Sequence, residues 1–149
     1  MGDRWAPHVT VATVVHDHEG RLLMVQERIG GHSVLNQPAG HLEPGESLLD
    51  GARRECLEET GWEVTLTGLI GIYQWQAPDG TPFLRFTFAA RPLCHHPDRE
   101  LDTGIETALW LAPDALEQAT NLRSPLVLRC VQDWQSRPLH ALSVVELLS

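Results

Sequence analysis

Residues 40–62 read GHLEPGESLLDGARRECLEETGW, and this stretch decides the fold. It predicts an α-helix over Glu46–Thr60, because Ser47 with Asp50 three residues on resembles a capping box. Gly61 is the residue type that most often ends a helix. Apolar residues recur at the spacing of one helix face, at Leu49, Ala52 and Cys56. The stretch therefore predicts one helix that packs an apolar stripe against a core.

Three glutamates of this helix, Glu55, Glu58 and Glu59, stand at positions i, i+3 and i+4. At about 100° per residue they share one face, where like charges destabilise a helix by about 0.2–0.5 kcal/mol per pair. A hard cation such as Mg²⁺ or Mn²⁺ prefers oxygen ligands and turns this repulsion into a binding site. A solvated acidic face is the alternative, and for a Glu-Glu pair alone it would be favoured.

The wider pattern adds Gly40, Glu46, Arg54 and Gly61 at fixed spacing to the three glutamates. From average residue frequencies, such a pattern is expected by chance on the order of 10⁻⁷ times in a chain of this length. It resembles the box motif of the Nudix hydrolase superfamily, with Cys56 and Trp62 at positions where aliphatic residues are commoner. The pattern therefore favours a metal site over an acidic surface.

The resemblance implies an α+β fold, an α/β/α sandwich with a mixed β-sheet. It also implies that Glu55, Glu58 and Glu59 hold Mg²⁺ or Mn²⁺ with the Gly40 carbonyl, while Glu46 and Arg54 brace the loop and the helix. These six residues are the expected catalytic element. The implied reaction is attack of water on a phosphorus atom of a nucleoside diphosphate that is linked to another group.

Other segments predict strands and helices around this element. Two segments, His8–His16 and Arg21–Arg28, are predicted to be strands. They are predicted to form a hairpin through a turn at 17–20. A short strand should precede Pro38. The remaining predicted elements are strands Trp62–Trp75, Pro82–Ala90 and Ile105–Leu111, and helices Pro113–Ala119 and Pro125–Gln135.

Composition narrows the functional classes. The 149 residues, 42% of them hydrophobic, predict one globular domain over 1–149. A net charge of −9 argues against nucleic acid and anionic membranes as partners, because both require a basic surface. No apolar run reaches about 18 residues, and the N-terminus lacks a signal-peptide pattern. Three cysteines without CxxC spacing are typical of a reducing compartment, so we expect a cytoplasmic protein, as a monomer.

The eight histidines are scattered and show no HExxH spacing. The pair His95-His96 follows a strand and precedes a proline. Histidines in such positions are usually exposed or hydrogen-bonded to neighbours. We therefore expect all eight to be surface or satisfied groups rather than metal ligands.

Segments outside the box resemble a narrower phosphatase subgroup of the same family. The matching stretches include QW at 74–75, APD at 77–79, TPFLRF at 81–86 and NLRSPLV at 121–127. This resemblance implies a small phosphorylated substrate and release of orthophosphate. The implied substrates are the pyrophosphate of hydroxymethylpyrimidine, a thiamine precursor, and nucleoside tri- and diphosphates.

Five residues of these and nearby stretches are expected to contact substrate. Arg85 and Arg123 match phosphate geometry, Trp75 and Phe83 offer rings for stacking, and Gln37 offers an amide for the polar edge of a base. The alternative is that they are ordinary core and surface residues. ADP-ribose hydrolysis is an alternative activity, and a catalytically silent nucleotide sensor is an alternative of another class.

The catalytic base is the point where this chain departs from the common family pattern. Many members place an acidic residue just before the isoleucine of the strand that ends in tryptophan, and here that position is Gly104. We expect Glu106, on the strand, to act as the partner of the box carboxylates, because a strand holds a side chain more rigidly than a loop does. Asp102, in the loop, is the alternative, and both acids are otherwise ordinary surface groups.

Overall fold

The structure, a computed structural model, describes residues 2–149. Its strands are β1 His8–Val15, β2 Leu22–Ile29, β3 His32–Asn36, β4 Ala39–His41, β5 Trp62–Gln76, β6 Pro82–His95 and β7 Ile105–Leu111. Its α-helices are α1 Leu48–Thr60, α2 Pro113–Gln118 and α3 Pro125–Ser136, followed by a 3-10 turn at Leu142–Val144.

The strands form two sheets. One is mixed, with the order β4-β1-β6-β5, in which β1 runs parallel to β6 and the other pairs are antiparallel. The other is antiparallel, with the order β3-β2-β7. The predicted mixed sheet is confirmed, and the antiparallel sheet is an addition to it.

Helices cover both faces of the sheets, as the buried side chains show. Val11 and Val15 of β1 pack with Ala52 and Cys56 of α1, whereas Val14 packs in a second cluster, with α2 and α3. Neighbouring strand residues point to opposite faces, so β1 is apolar at successive positions. The result is the α/β/α arrangement that the sequence predicts.

The predicted hairpin of β1 and β2 is wrong. The two strands belong to different sheets and meet only at an isolated bridge between His16 and Leu22. The Asp17 carboxylate does hold the turn, since it accepts from the backbone N–H of Glu19 and of Arg21, both at 2.9 Å. Within its own sheet β1 is already paired on both edges, by β4 and β6, and therefore has no free edge for β2.

The short strand β4 was not predicted, and it positions the site. It pairs with β1 through Thr10 with His41 and Val11 with Gly40, which fixes Gly40 beside α1. Helix α1 begins at Leu48 rather than at Glu46, because the Ser47 side chain caps it by accepting from the Asp50 N–H at 3.0 Å.

The other element ends differ modestly from prediction. Strand β6 runs to His95 instead of Ala90, and α2 ends at Gln118. Helix α1 ends as predicted, with Gly61 in the left-handed region at φ 75°. Within residues 2–149, no helix is long and apolar enough to cross a membrane.

Candidate active site

Arg54 joins the loop of residues 40–47 to α1. Its Nε and Nη2 donate to the Glu46 carboxylate at 2.6 and 3.0 Å, and Nη2 also donates to the His41 carbonyl at 3.1 Å. Its Nη1 donates to Glu55 at 2.8 Å and to Glu58 at 3.1 Å. The bond from Arg54 lowers the pKa of Glu46 below its ordinary value, and the carboxylates of Glu46 and Glu55 raise the pKa of Arg54. Glu46 and Arg54 thus lie where the sequence predicts braces.

Glu55 and Glu58 lie together with Asp102, which comes from the loop before β7. One carboxylate oxygen from each lies within 4.8 Å of the others. The Asp102 N–H donates to the Glu58 carbonyl at 3.1 Å, which ties the loop to α1. Glu55 is 8% exposed, and this burial raises its pKa, with the Arg54 bond acting in the opposite direction. An all-oxygen set of crowded carboxylates fits a hard divalent cation.

Glu59 is not part of this three-carboxylate cluster. It lies behind it, 8% exposed, and accepts from the Ala39 N–H at 2.8 Å, which ties α1 to β4. The pKa of Glu59 is raised to about 9, chiefly by burial and also by the charges of Glu27, Glu55 and Asp102, while the Ala39 bond acts in the opposite direction. A buried carboxylate with this pKa indicates a place where positive charge is needed.

Gly40 faces the Glu55 carboxylate so closely that no side chain fits between them. A methyl group at Gly40 would overlap the carboxyl carbon and both oxygens of Glu55. The backbone of β4 therefore contributes to the same small space as the carboxylates. The role of the Gly40 carbonyl as a ligand, implied by the family resemblance, stays a prediction, and this close approach is compatible with it.

The expectation that Glu106, rather than Asp102, partners the box carboxylates is contradicted. Glu106 is exposed, accepts a short hydrogen bond from the Ser33 hydroxyl and lies 3.7 Å from Arg28. The Ser33 bond lowers the pKa of Glu106. The assumption of a loose loop was the error: backbone bonds hold Asp102 to Glu58 and to Ile105, each at 3.1 Å.

Gly104 explains why the usual acidic position carries no acid in this chain. Its φ of 93° lies in the left-handed region, where a larger residue would be strained. The turn there leads the chain from Asp102, bonded to α1, into β7, and the Gly104 carbonyl accepts from the Arg28 N–H at 2.9 Å. Asp102, two residues before Gly104, therefore supplies the carboxylate that lies with Glu55 and Glu58.

A cleft of about 1050 Å³ opens from Gly40 across the mixed sheet. Trp75, Phe83, Arg85 and Arg123 line it, so four of the five predicted substrate contacts come together. Trp75 and Phe83 are cross-strand partners whose rings stack with centroids 5.7 Å apart and planes at 24°. Arg123 is exposed and makes no ion pair with the described residues.

Gln37, the fifth predicted contact, is contradicted by its burial. It is 1% exposed, its Nε2 donates to the Val127 carbonyl at 2.7 Å, and its Oε1 accepts from Arg85 Nη2 at 2.7 Å. Its amide therefore holds Arg85, and its burial outside the cleft lining keeps it from a base in the cleft. Arg85 is itself 5% exposed, and desolvation lowers its pKa.

Glu27 is a residue that the sequence interpretation missed. It lines the cleft, and its charge acts on Glu59. It follows the buried part of β2, at a register shift between Gln26 and Glu27 against β7. A glutamate just after an apolar run was the only signal in the sequence, and it is too common to single out.

Comparison with known proteins gives consistent results. The profile of the NUDIX domain family matches residues 6–130. The phosphatase NudJ of Escherichia coli strain K12 is 48% identical over 136 residues, covering 89% of this chain and 88% of NudJ. A NUDIX hydrolase structure from Nitrosomonas europaea superposes with a TM-score of 0.92 at 41% identity, covering 96% of this chain and 98% of the other.

A more distant structure shows the fold alone. The MutT protein of Methanosarcina mazei Go1 superposes with a TM-score of 0.71 at 18% identity, covering 89% of this chain and 97% of that one.

Proposed function

Because this chain belongs to the Nudix hydrolase family and is a hydrolase of phosphoanhydrides, we propose that it is a phosphatase that releases orthophosphate from small pyrophosphorylated substrates. The substrates proposed are hydroxymethylpyrimidine pyrophosphate and nucleoside tri- and diphosphates. The observation that carries the proposal is the cleft, which joins the Gly40 end of the carboxylate site to an aromatic pair and to Arg123. The similarity to the phosphatase NudJ supports it.

The cleft divides recognition between two kinds of group. The stacked rings of Trp75 and Phe83 leave no space between them, so a pyrimidine or purine ring lies on the exposed face of the pair. The Arg123 guanidinium, which makes no salt bridge among residues 2–149 although its charge lowers the pKa of the nearby Asp79, binds the phosphate tail. Arg85 adds positive charge to the wall of the cleft, in a position fixed by Gln37.

Glu55, Glu58 and Asp102, with the Gly40 carbonyl and with Glu59 behind them, are proposed to hold a divalent cation, Mg²⁺ or Mn²⁺. Such an ion neutralises phosphate oxygens and favours ionisation of water. Arg54 keeps Glu55 and Glu58 in place through its bonds of 2.8 and 3.1 Å. Asp102 is the most exposed carboxylate of the three. We assign it the role of general base, which accepts the proton of the attacking water.

Hydrolysis of ADP-ribose, or of another nucleoside diphosphate linked to a second group, is the second candidate function. The cleft volume of about 1050 Å³ favours it, because this is at the upper end for a small-molecule pocket and exceeds the needs of a single pyrimidine. Pro78 also lines the cleft. The silent-sensor alternative is set aside, because the chain is a hydrolase by family and by similarity to NudJ.

Product analysis separates the two candidates. Purified protein with Mg²⁺ is given a nucleoside triphosphate, hydroxymethylpyrimidine pyrophosphate or ADP-ribose, and the first products are identified by chromatography. The proposal expects a nucleoside diphosphate plus orthophosphate from the nucleoside triphosphate. It also expects orthophosphate from hydroxymethylpyrimidine pyrophosphate. Monophosphate plus pyrophosphate, or a clear preference for ADP-ribose, would overturn it. A Glu58→Gln preparation run in parallel excludes a contaminating phosphatase.

A further inference from the structure

Three potential metal ligands of different chemistry meet where β5 begins and β6 ends. They are the carboxylate of Glu63, the thiol of Cys94 and the imidazole of His96, and one ligand atom from each lies within 4.8 Å of the others. All three residues are exposed, and Cys94 is a free cysteine. We call this group the thiol cluster. It is separate from the carboxylate site, whose members are Glu55, Glu58 and Asp102.

Strand register places these three side chains on one face. Glu63 and Cys94 are direct partners in the β5–β6 pair, so their side chains lie on the same side of the sheet. His96 lies one residue beyond β6, but its N–H donates to the Gly61 carbonyl at 2.8 Å, which continues the pairing and returns its side chain to that side. The neighbours Trp62 and His95 are paired on the opposite side, where their rings stack with centroids 4.4 Å apart. The thiol cluster therefore follows from the register of the two strands.

The geometry is close to that of a coordination sphere. His96 Nε2 lies within hydrogen-bond distance of Glu63 Oε2, at 2.6 Å, and the two side chains are 47% and 48% exposed. Ligands of a tetrahedral Zn²⁺ lie roughly 3.3–3.5 Å apart, given bonds of about 2.0 Å to nitrogen or oxygen and about 2.3 Å to sulfur. A wider His96–Glu63 contact and a Cys94 thiolate drawn in from within 4.8 Å would give these separations.

The donor set selects the kind of ion. Thiolate and imidazole favour Zn²⁺ and other borderline transition metals, whereas Mg²⁺ favours oxygen ligands alone. A depression of about 540 Å³, lined by residues that include Glu63, His96 and Asp98, gives an ion access to two of the three ligands, and the third, Cys94, is exposed beside it. Three protein ligands leave a fourth position for a water molecule.

We propose that Glu63, Cys94 and His96 bind one Zn²⁺ ion at this edge of the mixed sheet, independently of the carboxylate site. The ion joins the start of β5 to the end of β6. It also fixes the start of the loop that carries Asp102, since the His96 N–H donates to the Gly61 carbonyl at 2.8 Å and the His96 carbonyl accepts from the Arg99 N–H at 3.1 Å. Hydrolysis does not pass through this ion, which lies apart from Glu55, Glu58 and Asp102.

Cobalt titration tests the proposal on the full-length protein. Metal-free protein, with excess Mg²⁺ to occupy the carboxylate site, is titrated with Co²⁺ and followed by absorption. We expect one equivalent of Co²⁺ to produce a thiolate-to-cobalt charge-transfer band with the strong visible bands of four-coordinate cobalt. One equivalent of Zn²⁺ should remove these bands.

Variants assign the ligands. Cys94→Ser should lose the charge-transfer band, and His96→Ala should weaken Zn²⁺ binding by about 10–100-fold, at least the loss seen when an outer partner of a ligand is removed. His18→Ala, an exposed histidine outside the cluster, is the matched control and should bind as the parent does. Cys94→Ser should retain Mg²⁺-dependent hydrolysis, so failure of the zinc proposal and of the proposed function are distinguishable.

Three results would overturn the zinc site. They are absence of a thiolate band in the parent protein, persistence of that band in Cys94→Ser, and equal Zn²⁺ affinity in His96→Ala and His18→Ala. Thermal unfolding of each variant without metal confirms that the variant is folded, which is expected because both altered side chains are exposed.

Discussion

The carboxylate site on α1 and the cleft beside it are built in opposite ways. In the carboxylate site each side chain is held by others: Arg54 alone bonds Glu46, Glu55 and Glu58. In the cleft, Arg123 is exposed and has no ion pair within the described chain. Positions that determine chemistry are thus coupled to the fold. Arg123 can therefore be replaced at little cost in stability, whereas Arg85, on the wall of the same cleft, is buried and held by Gln37.

The largest effect should come from breaking the carboxylate site. Glu58→Gln removes a ligand charge but no core contact, because Glu58 is only partly buried. We expect kcat to fall by about 10²–10³-fold at saturating Mg²⁺, as when a main electrostatic stabiliser is lost. Steady-state kinetics with thermal unfolding measures both quantities. Near-parent turnover would remove Glu58 from the site.

The second effect concerns the loop carboxylate. Asp102→Asn should lower kcat by about 10²-fold and remove the acidic limb of the pH–rate profile, because Asp102 lies with Glu55 and Glu58. Glu106→Gln is the matched control, since that carboxylate contacts Ser33 and Arg28 instead. If both variants keep the parent profile, the base lies among the box glutamates.

A smaller effect is expected in the cleft. Arg123→Ala should raise KM about tenfold, the equivalent of about 1.4 kcal/mol for a charge-assisted bond to phosphate, with little change in kcat or stability. Arg129→Ala is the control, because Arg129 lines the same cleft but donates to Asp133 at 3.1 Å. An unchanged KM for Arg123→Ala would show that the phosphate tail lies elsewhere.

The smallest effect is a pH dependence of stability. Arg54 lowers the pKa of Glu46 in the folded state below its ordinary value of 4.5, so the contribution of Glu46 is complete above that pH. It is lost as the pH falls through the folded pKa. Glu46→Gln should therefore cost about 1 kcal/mol at pH 7 and progressively less on acidification.

Denaturant unfolding from pH 7 downward measures this loss. Glu43→Gln, whose carboxylate is 62% exposed and 3.6 Å from Arg54, is the control and should show a smaller difference. A cost for Glu46→Gln that is constant over this range would mean that packing, and not the ion pair, is what Glu46 contributes.

The contiguous motif was the predictable part of the molecule. Helix α1 and its capping by Ser47 and Gly61 follow from local chemistry, and the structure has them as expected. The carboxylate face was also predicted. The sequence did not reveal that Glu59 turns toward β4, because the bond from Ala39 depends on a strand of three residues that forms only by pairing with β1.

The predictions that failed concern residues whose placement depends on contacts with distant parts of the sequence. Gln37 has the polarity of a binding residue, yet it is buried by Val127 and Arg85, which lie far along the sequence. Glu106 was preferred to Asp102 on the general rigidity of strands, whereas the bond between Asp102 and Glu58 could not be deduced from spacing. Short-range patterns determined the catalytic helix, and long-range packing determined what faces it.

The parallel pairing of β1 with β6 sets the order in which the chain can fold. Every pair in it, from His8 with Phe83 to Val15 with Ala90, joins residues about half the chain length apart. The β5–β6 hairpin closes through a short turn and can form early, whereas β1 must wait for β6. On the ribosome, the apolar β1 is thus made first and paired late. During that delay β1 is an unpaired apolar segment, which is a condition that favours aggregation.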